Sequence, residues 1–246
     1  AEAIDYKHIG SRPVRPDGVD KVTGRAEFGG DVSLPGMIIG KILRSPHAHA
    51  RIKSIDITDA LAIPGVHAVI TGEDFPGGGI SGEIDGEGGG SISDQAKNVI
   101  ARDKVLYHGH ALAAVAAISD TAADRALDAI KVEYEVLSPV LDILEAIDPD
   151  STLVNENNYT KLPEKPDSPS NIANVGNLVR GDIQEGFERA DVIIEREYVC
   201  PMTHQGYIEP HSCLASVDEE GKGTVWCSTQ GPVSYTHLTL PTIVRV

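Results

Sequence analysis

Aromatic side chains are scarce in this 246-residue chain, where Phe, Tyr and Trp together make up 4%. Hydrophobic residues still reach 41%, so aliphatic side chains must fill any core. Basic charge is scarce as well: Lys and Arg number 21 against 37 Asp and Glu, a formal net charge of −16. That balance speaks against a nucleic-acid partner, which needs clustered positive charge. It also disfavours adhesion to an anionic membrane, and its simplest reading is solubility. The three cysteines, Cys200, Cys213 and Cys227, stand far apart in sequence. They make neither a disulfide framework nor the four thiolates of an iron–sulfur cluster. No apolar run approaches membrane-spanning length. The opening Ala1-Glu2-Ala3-Ile4-Asp5-Tyr6 lacks the basic and apolar regions of a signal peptide, which makes a reducing cytoplasm the expected location.

What is present is organised around Met37 to Pro76. The apolar run Met37–Leu43 has the length of a buried strand, and Arg44-Ser45-Pro46 breaks it because proline removes a donor and disfavours helix before it. Alternation resumes over Ala50–Ile57, a helical turn is expected over Asp59–Ala62, and Val66–Gly72 reads as a third strand. Lys104–Tyr107 opens a second unit. Ala111–Ile118 is continuously apolar, as a strand covered on both faces would be. Ser119 or Asp120 can cap a helix running to Ile130, whose alanines and Leu127 form one stripe. Val132–Val136 alternates again. Pro149–Asn174 is rich in Pro, Asn, Ser and Asp without periodicity and reads as a linker. Strands are expected at Val192–Val199, Tyr207–Val217 and Gly223–Gln230.

The motif "LRSPHAHARI…ID…A…PGVHAVITGEDFPG" resembles the opening domain of the molybdenum-binding subunit in the xanthine dehydrogenase and aldehyde oxidase family. The resemblance extends upstream over Arg15–Ala26, downstream to about Ala146, and again from about Asn177 to Pro232. It implies an α+β chain: an α/β hammerhead domain followed by a truncated α+β molybdenum-cofactor-binding domain. The expected layout is an extended arm over 1–21, the hammerhead over 22–147, a linker over 148–175 and the start of the cofactor domain over 176–232. A tail over 233–246 would complete it. Val233–Thr242 can be encoded by GTCTCTTATACACATCTGACGCTGCCGACG, which resembles a transposase-end sequencing adapter, so the tail is expected to be a read-through scar.

The resemblance further implies a molybdenum–molybdopterin enzyme that hydroxylates a carbon of an N-heterocycle or aldehyde with oxygen from water. Electrons would pass to iron–sulfur and FAD centres on partner subunits. One site position carries over: Gln230, in Trp226-Cys227-Ser228-Thr229-Gln230, matches a glutamine whose amide hydrogen-bonds an oxo ligand on the metal. A side-chain NH₂ suits that place because it donates without adding charge. A strand-end glutamine capping a turn is the plain alternative. The segments bearing the family's glycine–phenylalanine loop and catalytic glutamate have no counterpart here, so no catalytic residue is assigned and the chain alone is expected to be inactive. Within the family, a 4-hydroxybenzoyl-CoA reductase, a carbon monoxide dehydrogenase or an aldehyde oxidoreductase subunit are alternatives. A non-catalytic module that only binds partner subunits is an alternative of another class.

Other motifs carry less. Glycines over 72–95 are interleaved with Glu73, Asp74, Glu83, Asp85 and Glu87, which repel an anion, and no lysine follows, so a surface loop is expected rather than a phosphate cradle. His47/His49 and His108/His110 are i, i+2 pairs that would share one face of a strand, but neither has a third metal ligand nearby. His204, Glu209 and His211 lack the spacing of a helix-borne zinc site and read as structural. No G-x-S-x-G elbow supports a serine hydrolase.

Overall fold

The structure, a computed structural model, describes residues 7–75, 83–84, 90–91 and 98–229, with backbone alone at 83–84 and 90–91. Along the chain it begins with α1 (Gly18–Thr23), β1 (Ile39–Arg44), β2 (Ala50–Asp56), α2 (Thr58–Leu61) and β3 (Val66–Thr71). Two short paired strands follow, β4 (Glu83–Ile84) and β5 (Gly90–Ser91), then β6 (Lys104–Val105) and β7 (Ala111–Ala117). Next come α3 (Asp120–Ala129), β8 (Lys131–Val136), α4 (Ile143–Ile147) and α5 (Ile183–Glu188). A hairpin of β9 (Cys213–Val217) and β10 (Gly223–Cys227) closes the described chain. The elements fall into two compact units: one is Gly36–Pro201, and the other joins the described residues before 36 to those after 201.

The larger unit is built on two antiparallel three-stranded sheets, ordered β1-β7-β3 and β6-β2-β8. Strand β7 is central in the first and is buried along its length, as its unbroken apolar run requires. Its alternate residues serve two cores. Ala113, Val115 and Ala117 pack with Ala122, Ala123, Ala126 and Ile130 of the α3 segment, while Leu112 packs with Ala50, Ala101 and Val105. Small side chains on both surfaces bring helix and strand close, which is how a core forms with so few aromatics. Helix α3 starts where Ser119 accepts a hydrogen bond from the Ala122 amide at 3.2 Å. Lys41 of β1 ties down its outer face through Asp124 at 2.7 Å and Asp120 at 3.2 Å.

The turn between β1 and β2 joins one sheet to the other. Ser45 is buried; its amide donates to the His110 carbonyl at 2.9 Å, and its carbonyl accepts from Gly109 at 3.0 Å. Leu43, Ile55 and Val132 touch both cores, so the Ser45–His49 turn sits where the two meet. Gly72 follows β3 with its backbone against Arg102: an added Cβ would lie 2.8 Å from Arg102 Cα and 2.9 Å from the Ala101 carbonyl. Arg102 in turn donates to the Gly72 and Phe75 carbonyls.

Residues 149–174 carry no helix or strand beyond an isolated bridge between Lys161 and Asn174, but they are fastened to the larger unit. Glu156 pairs with Lys104 at 2.9 Å and Arg51 at 3.2 Å, and Lys104 also reaches the Leu153 carbonyl. Three expectations need correction. Val192–Val199 is not a strand: Val192-Ile193-Ile194 is an apolar run rather than an alternation, Glu195-Arg196-Glu197 interrupts it, and no neighbour among the described residues pairs its amides and carbonyls. The ladder of the Tyr207–Val217 segment starts only at Cys213, and that of Gly223–Gln230 ends at Cys227. The extended reading of the arm fails at Gly18–Thr23, a helical turn closed by the left-handed Gly24.

Candidate functional site

The β9–β10 hairpin is set by one aspartate. Asp218 Oδ1 accepts from the amides of Glu220 at 3.0 Å and Lys222 at 2.8 Å, while its own amide donates to the Lys222 carbonyl at 3.1 Å. Gly221 takes the positive φ of 81° that the turn needs. This fixes an unbroken register from Gly223↔Val217 to Cys227↔Cys213. Just beyond the ladder, Ser212 and Ser228 have buried hydroxyls with no hydrogen-bond partner among the described residues.

Both hydroxyls stand against Gly29, where an added Cβ would lie 2.8 Å from Ser212 Oγ and 3.3 Å from Ser228 Oγ. The turn at Phe28–Asp31 presents that glycine. The Phe28 amide donates to Asp31 Oδ2 at 3.0 Å, and the Gly29 amide donates to Glu209 Oε1 at 3.3 Å. The base of the hairpin therefore holds two neutral hydroxyls and one carboxylate beside a glycine where a Cβ would crowd the serine hydroxyls. Such a set can bind a polar group by hydrogen bonds. Gln230, two residues after Ser228, lies outside the described residues. Sequence reasoning named Gln230 and did not name Gly29, Ser212 or Ser228. The signal for Ser228 was its place beside Gln230; nothing local marked Gly29.

The histidine pairs have other work, and the structure corrects their placement: neither lies on a strand face. His47 and His49 sit in the bend after β1, and His108 and His110 in the turn before β7. His49 Nδ1 bonds the Ser138 carbonyl at 2.7 Å, and His47 meets Tyr134 edge-on at 4.8 Å between ring centroids. Buried His110 is held through both nitrogens: Nδ1 accepts from the Leu106 amide at 3.2 Å, and Nε2 donates to the Asn98 carbonyl at 2.6 Å. Burial pushes its pKa down, with the Asn98 carbonyl partly opposing. His204 Nδ1 accepts from the Gly206 amide at 2.9 Å, and Tyr207 stacks edge-on against both His204 and His211. Most of the glycine-rich loop, including 76–82, 85–89 and 92–97, lies outside the described residues.

Comparison with known proteins fits this architecture. The family model "Aldehyde oxidase and xanthine dehydrogenase, a/b hammerhead domain" matches residues 23–138, and "Molybdopterin cofactor-binding domain" matches 164–243. The nicotinate dehydrogenase large molybdopterin subunit of Eubacterium barkeri is 34% identical, the match covering 93% of this chain and 49% of that protein. The carbon monoxide dehydrogenase large chain of Afipia carboxidovorans is 31% identical over 91% of this chain and 27% of its own length. Among solved structures, quinoline 2-oxidoreductase from Pseudomonas putida 86 superposes with a TM-score of 0.69 at 27% identity. That match covers 93% of this chain and 28% of the other. The chain thus spans half or less of the length of these relatives.

Together, fold and matches define an α+β chain in which an α/β hammerhead domain precedes molybdopterin cofactor-binding sequence. The chain belongs to the aldehyde oxidase and xanthine dehydrogenase family.

Proposed function

We propose that this chain is part of the molybdenum-binding subunit of a xanthine-dehydrogenase-type hydroxylase. That enzyme would act on a small molecule, an N-heterocycle or an aldehyde, and pass electrons to iron–sulfur and FAD subunits of the same cytoplasmic complex. The observation that carries the reading is the order of the two family matches along one chain, hammerhead first and cofactor-binding sequence second. The division into arm, hammerhead, linker and cofactor region at 21, 147 and 175 belongs to the same proposal, as does the adapter origin of 233–246.

The buried hydroxyls of Ser212 and Ser228 fit a polar, uncharged contact, because each can donate or accept without bringing charge. Gln230 would add an amide donor toward an oxo ligand, orienting the group rather than reacting. When bound, molybdenum–molybdopterin supplies a Lewis-acidic, redox-active centre. No residue of this chain is assigned as general base.

The test is to amplify source DNA across the codon for Pro232, express the whole reading frame with its neighbouring subunit genes, and measure molybdenum content. Near-stoichiometric metal in the wild type, lowered in Gln230→Ala, is the expected result. A genomic frame that ends at Pro232, with no metal bound, would instead leave a module that only binds partner subunits.

A further inference from the structure

We propose that Cys213 and Cys227 form a reversible cross-strand disulfide by exchange with low-molecular-weight disulfides, a site independent of the function proposed above. In sequence the two look unrelated, yet the hairpin places them directly opposite each other at its open end, and both are exposed. Opposed residues of an antiparallel ladder project to the same face, so the thiols point the same way.

The type of pair matters. Asp218 and Lys222 are joined by a backbone hydrogen bond, and hydrogen-bonded and non-bonded pairs alternate along the ladder. Counting from Asp218 to Cys213 takes an odd number of steps through a register without a bulge, so Cys213↔Cys227 is a non-hydrogen-bonded pair. In such pairs the Cα atoms approach to about 4.5 Å. Disulfides span Cα separations of roughly 4.4–6.8 Å, so the bridge can close without moving the strands. Both cysteines are exposed, and exposed disulfides are the ones that exchange readily.

The chemistry balances with a small disulfide as oxidant. One protein thiolate attacks it, forming a mixed disulfide and releasing one small thiol. The second protein thiolate attacks the mixed disulfide, closing the Cys213–Cys227 bond and releasing the second. Two electrons pass from the cysteines to the small disulfide, and the two cysteine protons end on the released thiols. Closing the bond staples the strand that leads into Ser228 and Gln230 to its partner.

Cys200, also exposed and outside any strand, is the internal control. Almost equal stretches of chain separate Cys200 from Cys213 and Cys213 from Cys227, so an unfolded chain closes both loops with similar ease. The experiment equilibrates the full chain in glutathione buffers of rising disulfide fraction, traps free thiols with iodoacetamide, and maps links by tandem mass spectrometry. In native buffer the Cys213–Cys227 link should exceed any Cys200 link by about tenfold, because the hairpin raises its effective concentration. In concentrated guanidinium chloride that preference should vanish. Cys200→Ser should keep the link, and Cys213→Ser should abolish it without shifting it to Cys200. Equal native yields of the Cys200–Cys213 and Cys213–Cys227 links, or pair thiols that stay as alkylatable as Cys200 throughout, would overturn the proposal.

Discussion

Strand β7 with helix α3 and the stretch Val192–Val199 both carry apolar runs, and these meet opposite fates. In the first, Leu112, Ala113, Ala117, Ala123 and Ala126 have essentially no exposed surface. In the second, Val192, Ile194, Tyr198 and Val199 are 76%, 74%, 84% and 86% exposed. Glu195, Arg196 and Glu197 make the second more polar, but the apolar residues on either side of them are left uncovered for want of a partner. Strand β7 has a hydrogen-bonded neighbour on each side and a helix over it, whereas 192–199 has no ladder partner among the described residues. Apolar side chains stabilise only where something covers them and the backbone is satisfied.

The largest expected effect comes from Leu112. Replacing it with alanine should cost about 2–5 kcal/mol, because a fully buried side chain leaves a cavity where two sheets meet. Ile193→Ala should stay within about 0.5 kcal/mol, as exposed substitutions do. Urea unfolding followed by amide exchange within 36–201 measures both, and equal losses would break the contrast. Next in size, Ser119→Ala removes the α3 cap and should cost about 1 kcal/mol, read most directly as faster exchange of the Ala122 and Ala123 amides. Unchanged exchange would mean that packing alone starts the helix.

The smallest effect is a slope with pH. The folded state keeps His110 neutral, while the unfolded chain takes up a proton below the ordinary imidazole value of about 6.5. Unfolding is then favoured by acid. The contribution of His110 is fully present above that value and is lost as pH falls below it. Urea midpoints from pH 8 to pH 5 should fall more steeply for the wild type than for His110→Gln. Parallel curves would show that burial does not hold the ring neutral.

Most of the larger unit was legible before any coordinates, because its signals are local. Alternation marks β2 and β8, a continuous apolar run marks β7, and a serine followed by a helical stripe marks α3. What escaped was tertiary. β-Branched residues at Val192–Ile194 favour a strand but cannot say whether a partner strand exists. The two histidine pairs looked like strand faces because i, i+2 spacing does not distinguish a strand from a tight bend. Gly29 became informative only when folding brought it to Ser212 and Ser228, residues near the opposite end of the chain. The cysteine pair was half legible: Cys213 and Cys227 flank the Asp218–Lys222 turn symmetrically, but only the ladder shows that the symmetry holds.

The alanines between β7 and α3 have a consequence beyond filling space. Alanine has no χ angle, so a surface made of it cannot adapt by changing rotamers. Two such surfaces meet at one separation or not at all, and a single added methylene would push the helix off the sheet as a whole. Larger side chains allow a core to drift through evolution by trading volume between neighbours. This interface has almost nothing to trade, so its spacing acts as a fixed gauge for the unit, and sequence change is expected to accumulate on the outer faces of β1, β3 and α3.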